Sequence, residues 1–171
     1  KVLTRVQLVD SLTKGTLDSW RIGKALLAIK TSAEEQLTDS MTYAHYKVFF
    51  NGSRPRVRPK VILRELRLFP GQKYDDSNYT ESLNRLGSLG IFNSVDISFA
   101  PLDTASKTKT MDMLIQAVLD KPYDFFIETN IKGKTTGRLG PAVVLGFAKR
   151  NAFRRGEIVE FNLHGNYEWQ T

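Results

Sequence analysis

His45 and His164 are the residues of this chain best suited to proton transfer or metal ligation. Neither stands in a pattern that such chemistry requires. There is no His-Glu-x-x-His segment to set two imidazoles on one helix face. No serine or aspartate is spaced to complete a nucleophilic triad. His45 lies in β-rich sequence between Tyr43 and Tyr46, and His164 lies among polar residues that alternate with apolar ones. The carboxylates are scattered, so no pair is marked for general acid–base work. The absence of cysteine removes disulfides and cysteine-based metal sites. Gly133, Gly137 and Gly140 surround a connection between strands rather than a turn opening a helix, so they do not form a phosphate loop. Met111, Met113 and Leu114 read as a core strand rather than an adaptable binding surface. These residues predict a chain that is not an enzyme, with no metal and no cofactor.

The informative pattern is one of hydropathy. In Glu157–Trp169, Val159, Phe161, Leu163, Gly165, Tyr167 and Trp169 alternate with Glu160, Asn162, His164, Asn166 and Glu168. In Arg138–Lys149, Leu139, Val143, Leu145 and Phe147 oppose Gly140, Ala142, Gly146 and Ala148. In Tyr123–Lys132, Phe125, Ile127 and Ile131 oppose Asp124, Glu128, Asn130 and Lys132. Alternation with period two means strands that offer one face to an apolar phase. Strands of about ten residues, apolar outward and polar or small inward, with aromatic residues near their ends, are those of a transmembrane β-barrel. Three strands cannot close a barrel, so the chain is expected to be a piece of something larger. No apolar run approaches the ~20 residues of a spanning helix. No signal peptide opens the chain, so any export signal is expected upstream.

The formal net charge of +7 is clustered. Arg54, Arg56, Arg58, Lys60, Arg64 and Arg67 form one basic segment, and Lys149, Arg150, Arg154 and Arg155 form another. Solvated surface, nucleic acid and anionic lipid head groups are all readings of such clusters. The second cluster falls in a turn between two membrane-type strands, which favours lipid there.

Upstream, residues 1–9 read as a strand and Thr42–Phe50 as another; Trp20–Ile29 fits a strand or a helix, its glycine and short length favouring a strand, and a polar stretch follows at 31–40. Pro59 suits the first turn of a helix continuing to Leu68, which Pro70-Gly71 ends. Asp75, Asp76 or Ser77 can cap a second helix, whose Tyr79, Leu83, Leu86 and Leu89 share a face. A strand at Phe92–Phe99, a polar loop at 103–110 and a returning strand at Met111–Leu119 follow. Residues 20–120 thus read as a small α+β domain, with helices on one face of a sheet.

The segment YTESLNRLGSLGIFNSVDISF, with Leu83, Leu86, Gly90, Phe92, Val95 and Ile97, resembles the second helix and second strand of a POTRA (polypeptide-transport-associated) domain. LFPGQKYD, with Gly71 and Tyr74, resembles the loop between the two POTRA helices. GFAKRNAFRRGEIVEFNL resembles the second and third strands of the Bam-type and Tam-type outer-membrane assembly and translocation family. Its turn matches an Asn-x-Phe-x-x-Gly-Glu pattern at Asn151, Phe153, Gly156 and Glu157.

The resemblance implies an α+β POTRA-like β-α-α-β-β domain followed by the first antiparallel strands of a transmembrane barrel. Residues 1–19 would end a preceding POTRA domain or form a linker. Residues 20–121 would be the POTRA-like domain, with an extended insertion around 30–41. Residues 122–171 would be the first three barrel strands. The implied function is non-enzymatic outer-membrane protein assembly, insertion or translocation, with the POTRA part in the periplasm. Its client-binding edge would be Asn93, Ser94, Val95, Asp96, Ile97, Ser98 and Phe99, engaging unfolded chains by β-augmentation. Its lipid-facing residues would be Phe125, Ile127, Ile131, Leu139, Val143, Leu145, Phe147, Val159, Phe161, Leu163, Tyr167 and Trp169. The implied partners are unfolded outer-membrane clients, accessory periplasmic or lipoprotein subunits and outer-membrane lipid, without nucleic acid. Self-association through the open strands is also expected. The alternatives are the POTRA-barrel part of a patatin-like phospholipase and a soluble basic α+β module that binds nucleic acid.

Overall fold

Strand β1, Arg21–Lys30, lies at the centre of the first sheet, with Ile22, Ala25, Leu27, Ala28 and Ile29 all buried. It runs parallel to two neighbours, β3 on one side and β5 on the other. A strand flanked in parallel is covered on both faces and reads as a continuous apolar run, as RIGKALLAIK does. The computed structural model describes residues 20–101, 109–133, 138–167 and 169–170. The strand expected at 1–9, the 1–19 segment and most of the expected loop at 103–110 lie outside the described residues. The chain divides into two units, Lys1–Asp120 and Lys121–Thr171.

In the first unit, β2 (Asp39–Tyr43) and β3 (Tyr46–Phe50) form a hairpin, followed by α1 (Pro59–Leu63), α2 (Asp76–Ser88), β4 (Phe92–Pro101) and β5 (Thr110–Leu119). The sheet order is β2-β3-β1-β5-β4, with β2–β3 and β4–β5 antiparallel. The α+β class is as expected from the sequence, but the sheet is wider. Thr42–Phe50 was expected as one strand, whereas Ala44 and His45 turn the chain with φ of 48° and 71°. Those are left-handed angles that alanine and histidine adopt at some cost, which is why the turn carries no Gly or Asn signal.

The first helix also departs from expectation, ending at Leu63 rather than Leu68. Beyond it the backbone is claimed by distant partners. The Tyr46 hydroxyl donates to the Leu68 carbonyl at 2.9 Å, and the Arg67 N–H donates to Ser82 Oγ at 2.8 Å. The buried Ser82 hydroxyl donates in turn to the Asn78 carbonyl at 2.6 Å. Pro70-Gly71 then reverses the chain with Gly71 at φ 86°, a conformation that disfavours side chains. The following residues pair with the start of β1, where the Ile22 N–H donates to the Gln72 carbonyl at 2.8 Å and the Tyr74 N–H donates to the Trp20 carbonyl at 2.9 Å. Asp75 is the cap of α2, accepting from the N–H groups of Ser77 and Asn78 at 2.7 and 3.2 Å. The core joins Leu27, Val48, Met113, Ile115 and Ile97 of the sheet to Val61, Ile62 and Leu86 of the helices.

The second unit is an antiparallel sheet of β6 (Tyr123–Gly133), β7 (Arg138–Arg150) and β8 (Ile158–Asn166). A short β9, Trp169–Gln170, continues beside β7 after β8 ends. The expected strand at 157–169 is therefore two segments on one neighbour, joined where the Tyr167 N–H donates to the Pro141 carbonyl at 3.1 Å.

Tyr46 ties β3 to the segment after α1, and burial pushes its pKa up to about 12. An unfolded chain releases this proton near 10, so the stability Tyr46 contributes is complete below that pH and is lost as pH climbs towards 12. Tyr46→Phe will cost about 0.5–1.5 kcal/mol at neutral pH. In urea unfolding curves it will also flatten the loss of stability between pH 10 and 12. An unchanged alkaline profile would show that this hydroxyl is not the group that titrates.

Candidate functional site

Residues Asn93 to Phe99 all lie in β4, which pairs with β5 on one side and with no described strand on the other. Val95, Ile97 and Phe99 lie opposite Ala117, Ile115 and Met113 and pack on the core. Ser94, Asp96 and Ser98 lie opposite Val118, Gln116 and Leu114 on the other face. The register shifts between Phe92 and Ser94, which places an irregularity at Asn93. Tyr79 and Leu83 of α2 are only partly buried, as are Val95 and Phe99. They form an apolar seam along the open edge. There Phe99 meets Tyr74 edge-on at 5.1 Å and Tyr79 at 6.1 Å between ring centroids. Burial raises the Tyr79 pKa, and the charges of Asp96 and Asp76 add to the shift. This edge offers unpaired backbone N–H and C=O groups beside half-exposed aromatic surface, which suits main-chain recognition of an extended segment.

The second unit offers a different surface. Its register sets Phe125, Phe147 and Phe161 in one row across the strands, and Ile127, Leu145 and Leu163 in the next. Val143 joins this face beside Gly165, and Val159, Ile131 and Tyr167 extend it. All these large residues are exposed, from Leu145 at 37% to Ile131 at 78%. The side chains of Leu139 and Trp169 lie outside the described residues, although register keeps their backbones opposite each other. At the start of β6 the Tyr123 and Phe147 rings stack at 6.0 Å, and the Lys149 ammonium stands 5.5 Å from the Tyr123 ring centroid. Arg150 pairs with Asp124.

The opposite face carries Glu128, Asn130, Glu160, Asn162, His164 and Asn166 around the small residues of β7. Phe126 also lies here, and the pattern of apolar residues did not single it out. It is opposite Gly146, and a Cβ on that glycine would fall 2.1 Å from the ring. The signal was present in the sequence, since Phe126 is the aromatic in phase with Asp124 and Glu128. The ring fills the space that the missing Cβ of Gly146 leaves open.

The turn after β7 explains its motif. The Asn151 side-chain oxygen accepts from the Gly156 N–H at 3.2 Å. The Glu157 carboxylate accepts from the N–H groups of Arg155 and Phe153 at 3.0 and 3.3 Å. Asn151 and Arg154 take left-handed angles, φ 54° and 65°. Partial desolvation works to raise the Glu157 pKa, but the backbone donors and the Arg155 charge together outweigh it and hold the carboxyl below its ordinary value. Phe153 is presented outward, 68% exposed, between these fixed points. The histidines do not converge on other ligands. His45 occupies the exposed turn between β2 and β3, and His164 lies on the polar face of β8.

An α+β module with a β-α-α-β-β core, followed at once by an amphipathic antiparallel wall, is the arrangement of a POTRA domain leading into barrel strands. The POTRA family, described as the surface antigen variable number repeat, matches residues 46–132, from β3 to β6, and the chain belongs to this family. No curated relative matches the chain. Among solved structures, BamA from Haemophilus ducreyi lacking POTRA domains 1–3 shares the fold. The identity is 15% and the TM-score 0.50, over 77% of this chain and 27% of that one. CdiB from Acinetobacter baumannii matches at 14% identity and TM-score 0.49, over 85% of this chain and 22% of that one. POTRA1–3 of the periplasmic domain of Omp85 from Anabaena matches at 16% identity and TM-score 0.42, over 59% of this chain and 35% of that one. This chain therefore spans between 22% and 35% of these three solved chains.

Gly146→Ala will drive the Phe126 ring from its seat and destabilise the β6–β7 pair by about 1–3 kcal/mol. In a Phe126→Ala background the same substitution will cost much less. A double-mutant cycle on folding in detergent or lipid reads the coupling, and additive costs would mean that the ring and the glycine act independently.

Proposed function

We propose that this chain is the membrane-entry end of a non-enzymatic outer-membrane protein assembly, insertion or translocation factor that works without a cofactor. Its POTRA unit stands in the periplasm, and β6, β7 and β8 are the first strands of the barrel wall. The observation that carries this reading is the apolar face of the second unit. The rows through Phe125, Phe147 and Phe161 and through Ile127, Leu145 and Leu163 are exposed, and the wall's other face is largely polar. A bilayer covers such a face, and antiparallel pairing satisfies the backbone inside it. Phe125, Ile127, Ile131, Leu139, Val143, Leu145, Phe147, Val159, Phe161, Leu163, Tyr167 and Trp169 are its lipid-facing positions. With β6 rising from the periplasm, the turn at Asn151–Gly156 returns to the periplasmic side.

The POTRA edge is the client site in this reading. An unfolded outer-membrane strand adds to β4 along Asn93–Phe99, and its apolar residues lie in the seam with Tyr79 and Leu83. The main-chain pairing accepts many sequences, as a general assembly factor requires. Accessory periplasmic or lipoprotein subunits occupy other surfaces, and the open barrel strands favour self-association when the rest of the wall is missing.

Phe161→Lys or Leu145→Lys will block membrane assembly of the parent protein, at a cost of about 2–4 kcal/mol near the midplane. Asn162→Lys will be much milder. Equal effects in a vesicle-folding assay would refute the assignment of faces. Photo-crosslinkers at Ser94, Asp96 or Ser98 will capture an unfolded outer-membrane client, and a crosslinker at Met41 on the β2 edge will not. Capture from β2 alone would move the client site away from β4.

A further inference from the structure

The basic segment after β3 is not one cluster in the folded chain. Arg64 pairs with Glu65 at 2.9 Å, Arg67 pairs with Glu81 at 3.1 Å, and Arg85 reaches both carboxylates. These charges belong to a network that ties the segment after α1 to α2. Arg54, Arg58 and Lys60 form no ion pair among the described residues. They lie with Arg56 in a strict alternation. Pro55, Val57, Pro59 and Val61 are buried, and Arg54, Arg56, Arg58 and Lys60 between them are exposed. The prolines fix their own φ, and the buried partners leave the cations nowhere to turn but outward. The result is a run of outward positive charges along the bent segment before α1, continued by Lys60 in the first turn of that helix.

The topology of the first unit gives that row a place. β3, β1 and β5 run parallel, and Ala28 lies opposite both Phe49 and Gln116. The ends of β3 and β5 therefore share one end of the sheet. From the end of β5, Asp120, Lys121 and Pro122 lead directly into β6. Three residues reach at most about 11 Å, and two strand spacings separate β3 from β5 by roughly 10 Å. The basic row thus begins at the end of the sheet where the chain departs for its apolar wall.

We propose that Arg54, Arg58 and Lys60 dock on the phosphate-bearing head groups of anionic lipids in the leaflet that β6 enters. This rests on the reading that β6–β8 enter a bilayer. A leaflet presents many phosphates in one plane at the point of chain entry, and a group of outward cations can meet several of them.

The test uses the whole chain in flotation with two kinds of vesicle, phosphatidylcholine alone and phosphatidylcholine with phosphatidylglycerol. The apolar wall drives binding to both, and the basic row adds affinity for the second. R54Q/R58Q/K60Q will lower partitioning onto the anionic vesicles by about 10–100-fold, remove much of its salt dependence, and leave binding to phosphatidylcholine unchanged. R54K/R58K will keep the anionic preference, since a leaflet reads charge, and so separates lost docking from lost folding. Unchanged partitioning of the triple variant onto anionic vesicles overturns the proposal. Loss of phosphatidylcholine binding from the unaltered chain counts against the membrane reading of β6–β8. The anionic increment then still reports on the basic row.

Discussion

The position of β1 between two parallel neighbours is the constraint from which the first unit follows. Its backbone must find partners on both sides and its Leu27–Ile29 stretch must be covered on both faces, so β3 and β5 are held apart by one strand. That arrangement pushes β4 to one edge of the sheet and β2 to the other. It also brings the ends of β3 and β5 to the same level, and it gives the loop after α1 a strand end to pair with at Ile22 and Gln72. The open edge, the chain's exit and the basic row are consequences of this one placement.

The two units solve opposite problems. The first hides its apolar residues between sheet and helices and leaves one seam, at Tyr79, Leu83, Val95 and Phe99, only half covered. The second hides almost nothing. Its three strands satisfy one another's backbones while their apolar side chains stay out in rows. A domain meant for water would fold that face inward, because the hydrophobic effect scales with the apolar area removed from solvent. The chain thus carries one unit with a core of its own and a second whose apolar rows stay exposed.

What could be read from the sequence was local. Period-two alternation reports β6, β7 and β8 because a strand's two faces are written in consecutive residues. Asp75 and the leucine spacing report α2 for the same reason. The central place of β1 was hidden, because parallel pairing joins Ala28 to Phe49 and Gln116 across long stretches of chain. The early end of α1 was hidden because Tyr46 and Ser82 are remote in sequence from the groups they hold. The β2–β3 turn went unseen because alanine and histidine are poor advertisements for left-handed backbone. In the candidate site, the β4 edge and most of the apolar face were legible. The face that Phe126 takes was legible in its phase with Asp124 and Glu128, but the meeting of its ring with Gly146 was not, since that depends on which residues meet across two strands.

That ring has a consequence for how β6 can move. Among the described residues β6 is held by β7 alone, and its far side is open. A strand held on one side can slide along its neighbour in steps of two residues and keep its faces. Such a step would seat Phe126 over Val144 or Ala148, the positions either side of Gly146 on the same face of β7. Both carry a Cβ where the ring now rests. The glycine is thus a notch and the ring the tooth that fits it. The register of β6 on β7 is thereby set at this one pair, whatever the far side of β6 meets.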